Sequence, residues 1–101
     1  MEEIQKTGIQ LIADERHEKQ IKKHGFTGEH HAQHPEWYDK GQLLQAAVQL
    51  ISREPIESDS YPENWDKGWF ADLLCRSYKE RLVIAGALIA SELDRIMALG
   101  E

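Results

Sequence analysis

Two carboxylates stand three residues apart in Glu15-Arg16-His17-Glu18. At 100° per residue, Glu15 falls in the middle of the helix face set by Ile4, Gly8 and Leu11. Glu18 falls at its edge. Carboxylates at i and i+3 on an inward face can grip one Mg²⁺ through oxygen. A buried carboxylate without a partner is costly, so an inward Glu15 needs one. The alternative to a metal is an ion pair with an Arg or Lys, such as Arg16, Arg76 or Arg81, or a helix end that overhangs the core and sits in water.

A second group is the histidine strip, His24, His30, His31 and His34, with Glu29 and Glu36 nearby. Neutral imidazoles bind Zn²⁺ and other transition metals, so His30, His31 and His34 are the alternative metal set. His30 and His34 would share a face if this segment were helical. The spacing matches no established zinc motif such as His-Glu-x-x-His. The plainer reading is a polar loop whose imidazoles bond to backbone or cap the next helix.

Other chemistry is sparse. The chain has no Gly-x-Ser-x-Gly and no phosphate-binding Gly-rich loop. The single cysteine, Cys75, excludes an intrachain disulfide and fits a reducing, cytoplasmic setting. It is expected to be a small buried hydrophobe. Trp37, Trp65 and Trp69 sit near loops. Trp65, Trp69 and Phe70 are expected to staple a long loop to the core. The other reading of the three Trp is an aromatic wall for a base or ring, although no basic residues interleave with them.

Three helices would position these groups in an all-α bundle with two long loops. The first is expected over about Glu2 to Lys23, ending at His24-Gly25 with Gly25 in the left-handed cap. Residues Gly25 to Glu36 read as a loop. The second helix is expected over about Glu36 to Arg53, with Pro35 near its first turn and Pro55 ending it. Its apolar stripe is Leu43, Leu44, Ala47, Leu50 and Ile51. Ile56 to Gly68 reads as a second loop, with Ser58-Asp59-Ser60 as turn material. The third helix runs over about residues 70–99 and starts between Trp65 and Ser77. Leu82, Gly86, Ile89, Leu93 and Ile96 form its expected seam. Residues Leu82 to Ala90 are apolar on all sides, which marks this as the central helix. Gly86 and Ala90, and Ala87 and Ser91, are small residues four apart and allow close helix approach.

At 101 residues the chain makes one domain, 1–101. Its 41% hydrophobic and 30% charged residues are a globular balance. The net charge of −6 argues against general nucleic-acid binding. Lys19, Lys22 and Lys23 read as a solvated helix end matched to the dipole. Met1-Glu2-Glu3 opens acidic, unlike a secretory leader, and the apolar run Leu82 to Ala90 is too short to span a bilayer, so no membrane partner is expected.

The stretch from Arg81 to Ile96 resembles the C-terminal signature of a family of small phage- and prophage-associated bacterial proteins. Glu18-Lys19-Gln20-Ile21, with His24-Gly25-Phe26-Thr27 and Glu29-His30, is similar to that family's first motif. Gly41-Gln42-Leu43-Leu44-Gln45-Ala46-Ala47 is similar to its middle motif. The family in turn looks distantly like the all-α NTP pyrophosphohydrolases of the MazG type. That resemblance implies a helical, oligomeric protein using Mg²⁺ held by Glu-x-x-Glu and Glu-x-x-Asp helices. It matches Asp39 to a first acid, while Glu15 and Glu18 come from the helix-face reading above. Gln42 stands where a ligand carboxylate is expected. Glu80 is acidic, but Val83 falls where the Asp belongs.

Two functions follow as expectations. One is a non-catalytic binding or oligomerisation module, since a three-helix unit does not fully cover so apolar a third helix. The other is a Mg²⁺-dependent nucleoside triphosphate pyrophosphohydrolase with a degenerate acidic site at Glu15, Glu18 and Asp39, which would make a nucleotide its partner.

Overall fold

The computed structural model of the chain describes residues 5–52 and 61–101, and these are all-helical with no strand among them. Helix α1 spans Gly8–Asp14. Its start is a reciprocal cap: Thr7 Oγ1 accepts from the Gln10 backbone N–H, and the Gln10 side chain accepts from the Thr7 N–H at 2.7 Å. The predicted beginning at Glu2 to Ile4 lies outside the described residues.

The chain then runs without a break into a π-helical stretch, Glu15–Lys23. Bonding from i to i+5 advances each residue by less than the α-helical 100°, so a wheel drawn at 100° drifts out of phase. The residues that turn fully inward here are Arg16 and Gln20. Glu15 stays at the edge of the interior and Glu18 lies in solvent. This corrects the expectation that Glu15 leads the inward face. Gly25 ends the stretch with a positive φ of 72° and donates to Ile21 O, as the cap reading requires.

The expected loop over Gly25 to Glu36 is instead mostly helical. Helix α2 spans Gly28–Gln33, and Thr27 Oγ1 caps it by accepting from His30 N at 3.1 Å. A single turn, α3, spans Pro35–Tyr38 with Pro35 at its first position. The second predicted helix is therefore divided. Its main part is α4, Gln42–Leu50, set off from α3 by Gly41 at φ 75°. The expected end at Arg53 and Pro55, and the turn at Ser58 to Ser60, lie outside the described residues.

The third predicted helix is also two. Helix α5 spans Lys67–Leu74, capped by Asp66, and α6 spans Tyr78–Ala98, capped by Ser77. The Ser77 hydroxyl accepts from Glu80 N, which starts a new helix instead of extending α5. Cys75 sits at the break and is exposed, contrary to the buried reading.

Helix α6 packs against α1, the π-helical stretch, α2 and α4. It runs antiparallel to α4: Arg81 near the start of α6 bonds Leu50 O at the end of α4, while Leu43 and Leu88 meet at one cavity. The core joins Tyr38, Leu43, Ala46, Leu50, Phe70 and Ile84, with Trp65 packed on it. The buried residues of α6 are Arg81, Ile84, Ala85, Ala87, Leu88, Ser91 and Glu92. The predicted seam is displaced from these by one position. Leu82, Ile89 and Leu93 are exposed, and Ile96 is half-buried. Of that seam, Gly86 makes a close approach, since a Cβ there would lie 2.5 Å from Ile12 Cδ1.

Candidate functional site

The acidic positions come together only in part. Glu15, Glu18 and Glu80 line one hollow between the first helix and the start of α6. Each already has a cation: Lys19 is 3.3 Å from Glu15, Lys22 is 3.5 Å from Glu18, and Arg76 is 3.6 Å from Glu80. Lys6, Lys19, Arg76 and Lys79 share the hollow with the acids. Charge is therefore balanced without a metal. Asp39 is not with them. It is exposed at the end of α3. Gln42 is buried and holds backbone: its Oε1 accepts from Lys40 N at 2.7 Å, and its Nε2 donates toward Glu36 O and Glu63 O. Of the proposed partners of Glu15, Arg16 pairs with Asp94 at 2.7 Å and Arg76 with Asp72 at 3.2 Å. Among the described residues, no group of three or more His, Cys, Asp or Glu side chains is placed to hold a metal ion.

The histidines do gather. Helical winding through α2 brings the His30 and His34 rings to 4.5 Å between centroids. His34 also stacks on Trp37 at 4.6 Å and bonds Glu36 through Nδ1 at 3.1 Å. His30 Nε2 lies 3.4 Å from the Tyr38 hydroxyl. His31 is different. It is 2% exposed, packs edge-on to Tyr38, and neither ring nitrogen has a hydrogen-bond partner.

Of these rings, His30, His31, Trp37 and Tyr38 belong to the wall of a cavity of about 710 Å³, and His34 does not. Most of the helices contribute to this cavity. The π-helical stretch supplies Gln20, α2 supplies His30 and His31, α3 supplies Trp37 and Tyr38, α4, α5 and α6 supply Leu43, Trp69 and Leu88, and the segment before α5 supplies Trp65. That segment is stitched to α3: Asn64 Nδ2 donates to Glu36 O and Trp65 Nε1 donates to Trp37 O, both at 2.8 Å. Asn64 takes a left-handed φ of 68° to make this turn. Trp65 meets Trp69, Tyr38 and Phe70 edge-on, at 60°, 74° and 79°. The rings therefore form adjoining walls, not a stack. Trp65 and Phe70 do staple this loop to the core, and Trp37, Trp65 and Trp69 together line the cavity. Sequence reasoning did not find His31 as the buried member or Gln20 as a neighbour. The signal for the first was the Thr27 cap, which fixes the phase of α2. For the second it was the π-helical winding, which leaves no obvious mark in residue types.

Electrostatics isolates His31. Burial, followed by the nearby Arg16 guanidinium, lowers its pKa to about 3. Folded His31 is thus neutral while the unfolded chain takes up a proton below its ordinary pKa. Stability is then complete above that value and is lost as pH falls toward 3. After allowance for solvent screening in the cavity, the expected loss between about pH 7 and pH 5 is roughly 1 kcal/mol. Urea melts across that range, compared with His31→Leu, check it. The variant should have a flatter profile while the carboxylates remain ionised.

No helix of the described residues is long and apolar enough to cross a membrane. No protein-family model, curated protein or solved structure matches the chain.

Proposed function

We propose that the chain is a non-catalytic binding module that works as a self-associated pair, of the phage type its motifs resemble. One observation carries the reading. On α6, Leu82, Ile89, Leu93 and Met97 are exposed, and Leu44 and Val48 on α4 and Ile51 at its C-cap are exposed. Both rows follow their helix's buried row in the same rotational sense. In an antiparallel pair, such rows fall on one side. The two helices thus offer a single apolar face at coiled-coil spacing.

Seven large hydrophobic residues exposed on one side form the kind of contiguous apolar patch that marks an interaction surface. Two-fold pairing suits it, because a neutral apolar face is complementary to itself. Two α4–α6 pairs placed back to back make a four-helix bundle.

Sedimentation velocity at micromolar concentration tests the pair against the 11.7 kDa of one chain. The expected mass is twice that. Ile89→Glu combined with Leu93→Glu should give a helical monomer, since two carboxylates per copy would be buried in the joint. A native chain that sediments as a monomer at about 100 μM would remove the reading.

A second reading, Mg²⁺-dependent pyrophosphate release from a nucleoside triphosphate, rests on the MazG-type resemblance; Glu15, Glu18 and Glu80 share one hollow, each with a cation of its own. Absence of turnover with Mg²⁺ or Mn²⁺, with no metal-dependent rise in Tm, would dispose of it.

A further inference from the structure

We propose that the aromatic cavity binds a small, free quaternary ammonium ion, held against the tryptophan rings beside the Asp66 carboxylate. This gives the binding reading a ligand class, and it does not depend on self-association.

The first argument is charge. Among the described residues that line the cavity there is no lysine or arginine, and the one carboxylate is Asp66. Free imidazole is neutral at about pH 8. Burial lowers the pKa of His30, takes that of His31 to about 3, and raises that of Tyr38 to about 12. Asp66 is therefore the lining side chain that carries charge at about pH 8. It is exposed, so a ligand can reach it. Its Oδ1 accepts from Trp69 N at 2.6 Å as the cap of α5, and among the described residues no cation pairs with it. Lys67, the next residue, lies over the Tyr61 ring at 5.8 Å instead. Arg16 and Arg95, whose charge reaches His31, do not line the cavity and are paired with Asp94 and Glu92. The place for a cation is beside Asp66 and not beside His31.

The second argument is the walls. The face of an aromatic ring is negative and attracts a cation. Trp65 meets Trp69 at 60° with centroids 5.9 Å apart, and Tyr38 at 74° with centroids 6.3 Å apart. Rings set at such angles leave faces open that a stack would cover. The cap bond joins Asp66 to Trp69, and Trp65 is its neighbour in the chain, so the carboxylate and two indoles belong to one turn of backbone. Trp65 is already fixed by its bond to Trp37 O at 2.8 Å, which leaves less ordering for a ligand to impose.

The third argument is what the lining lacks. A metal ion needs several oxygen ligands, and an ammonium bearing N–H groups needs several acceptors. Gln20 Oε1 already accepts from Ser91 Oγ at 2.8 Å, the Tyr38 hydroxyl lies 3.4 Å from His30 Nε2, and Asn64 Nδ2 donates to Glu36 O at 2.8 Å. A fully methylated ammonium asks for no hydrogen bond, and its methyl groups suit apolar walls. The volume of about 710 Å³ takes such an ion with a small substituent. An anion would meet Asp66 and no counter-ion.

Trp37, Trp65 and Trp69 all line the cavity, so intrinsic fluorescence at about pH 8 and constant ionic strength is the readout. The probes are tetramethylammonium and choline. The comparison arm is the uncharged analogue of choline in which a quaternary carbon replaces the nitrogen. Both cations should change the fluorescence with saturation, half complete near ~1 mM, and the uncharged analogue should bind at least about tenfold more weakly. Asp66→Asn removes the charge and keeps the helix cap, since Asn caps as well as Asp. It should weaken choline about tenfold and leave the uncharged analogue unchanged. If Asp66→Asn fails to fold, Trp69→Leu, which keeps apolar contact and removes a ring face, should weaken choline by about threefold or more. The proposal is overturned by a response that stays linear to about 20 mM with both cations. It is overturned equally by equal affinity for the uncharged analogue, or by choline binding that a folded Asp66→Asn or Trp69→Leu variant retains in full. Sedimentation of the same samples separates these outcomes from loss of the pair.

Discussion

Replacing Arg81 with methionine is expected to lower unfolding stability by about 3–5 kcal/mol, the largest effect of any single side chain here. The guanidinium is 3% exposed, so its bonds are made away from water. Its Nη1 donates to Leu50 O at 2.9 Å and to Ser52 O, and its Nε donates to Arg76 O at 3.1 Å. Leu50 is the last residue of α4, where helix carbonyls have no partner within the helix. Arg76 lies in the break between α5 and α6. One side chain thus ties the end of α4 to that break. Methionine keeps most of the aliphatic packing and removes all of the donors, so the loss reports the bonds. Chemical denaturation followed by circular dichroism measures it. A loss below about 1 kcal/mol would mean that water replaces these donors freely.

Alanine at Gly28 should cost about 3 kcal/mol, near the top of the range for overpacking. A Cβ there would lie 2.5 Å from Asp94 O and 2.8 Å from Asp94 C. Those are backbone atoms of α6, so no rotamer change relieves the clash and α2 must move away. The floor of the cavity would move with it, because His31 is on α2. Gly8→Ala is the control. Gly8 begins α1 and has nothing within 4 Å of a built Cβ. Alanine's better helix propensity should leave that variant unchanged or slightly more stable. Equal thermal shifts for the two variants would contradict the close approach of α2 to α6.

Much of the architecture was legible in residue types. Gly25 and Pro35 mark boundaries because each restricts or releases the backbone in a way few residues can. The small residue at Gly86 pointed to close approach, and Ile12 makes it. The α6 seam misled for a physical reason. A helix apolar on every side has no unique periodic face, so choosing Leu82, Ile89 and Leu93 as the core row was arbitrary with respect to Ile84, Ala85 and Leu88. What decided between them was polar: Arg81 and Ser91 turn inward toward partners that lie far away in sequence, and Glu92 is buried beside Arg95 one turn on. The α2 helix was hidden by its composition. Gly28-Glu29-His30-His31 carries little helical propensity, and contact with α6 stabilises it.

The candidate site was legible as types but not as a set. His30, His31 and His34 drew notice as ligands, yet each ring has a different environment. One meets a tyrosine hydroxyl, one is held by Glu36, and one is sealed off. Tertiary packing made that difference, and spacing alone does not encode it. The three Trp were visible too. Their convergence depends on Asn64 and on the bond from Trp65 to the Trp37 carbonyl, a closure across residues far apart in the chain.

The nine-residue stretch of wider winding also makes the count of residues there meaningful, apart from their chemistry. Everything upstream, including the isoleucine that seats against Gly86, is phased by how many residues the stretch holds. Shortening it by one would rotate the leading helix by about a quarter of a turn and carry Ile12 off its seat. The segment therefore acts as a spacer of fixed length, more tolerant of exchanged side chains on its wet face than of a gained or lost link.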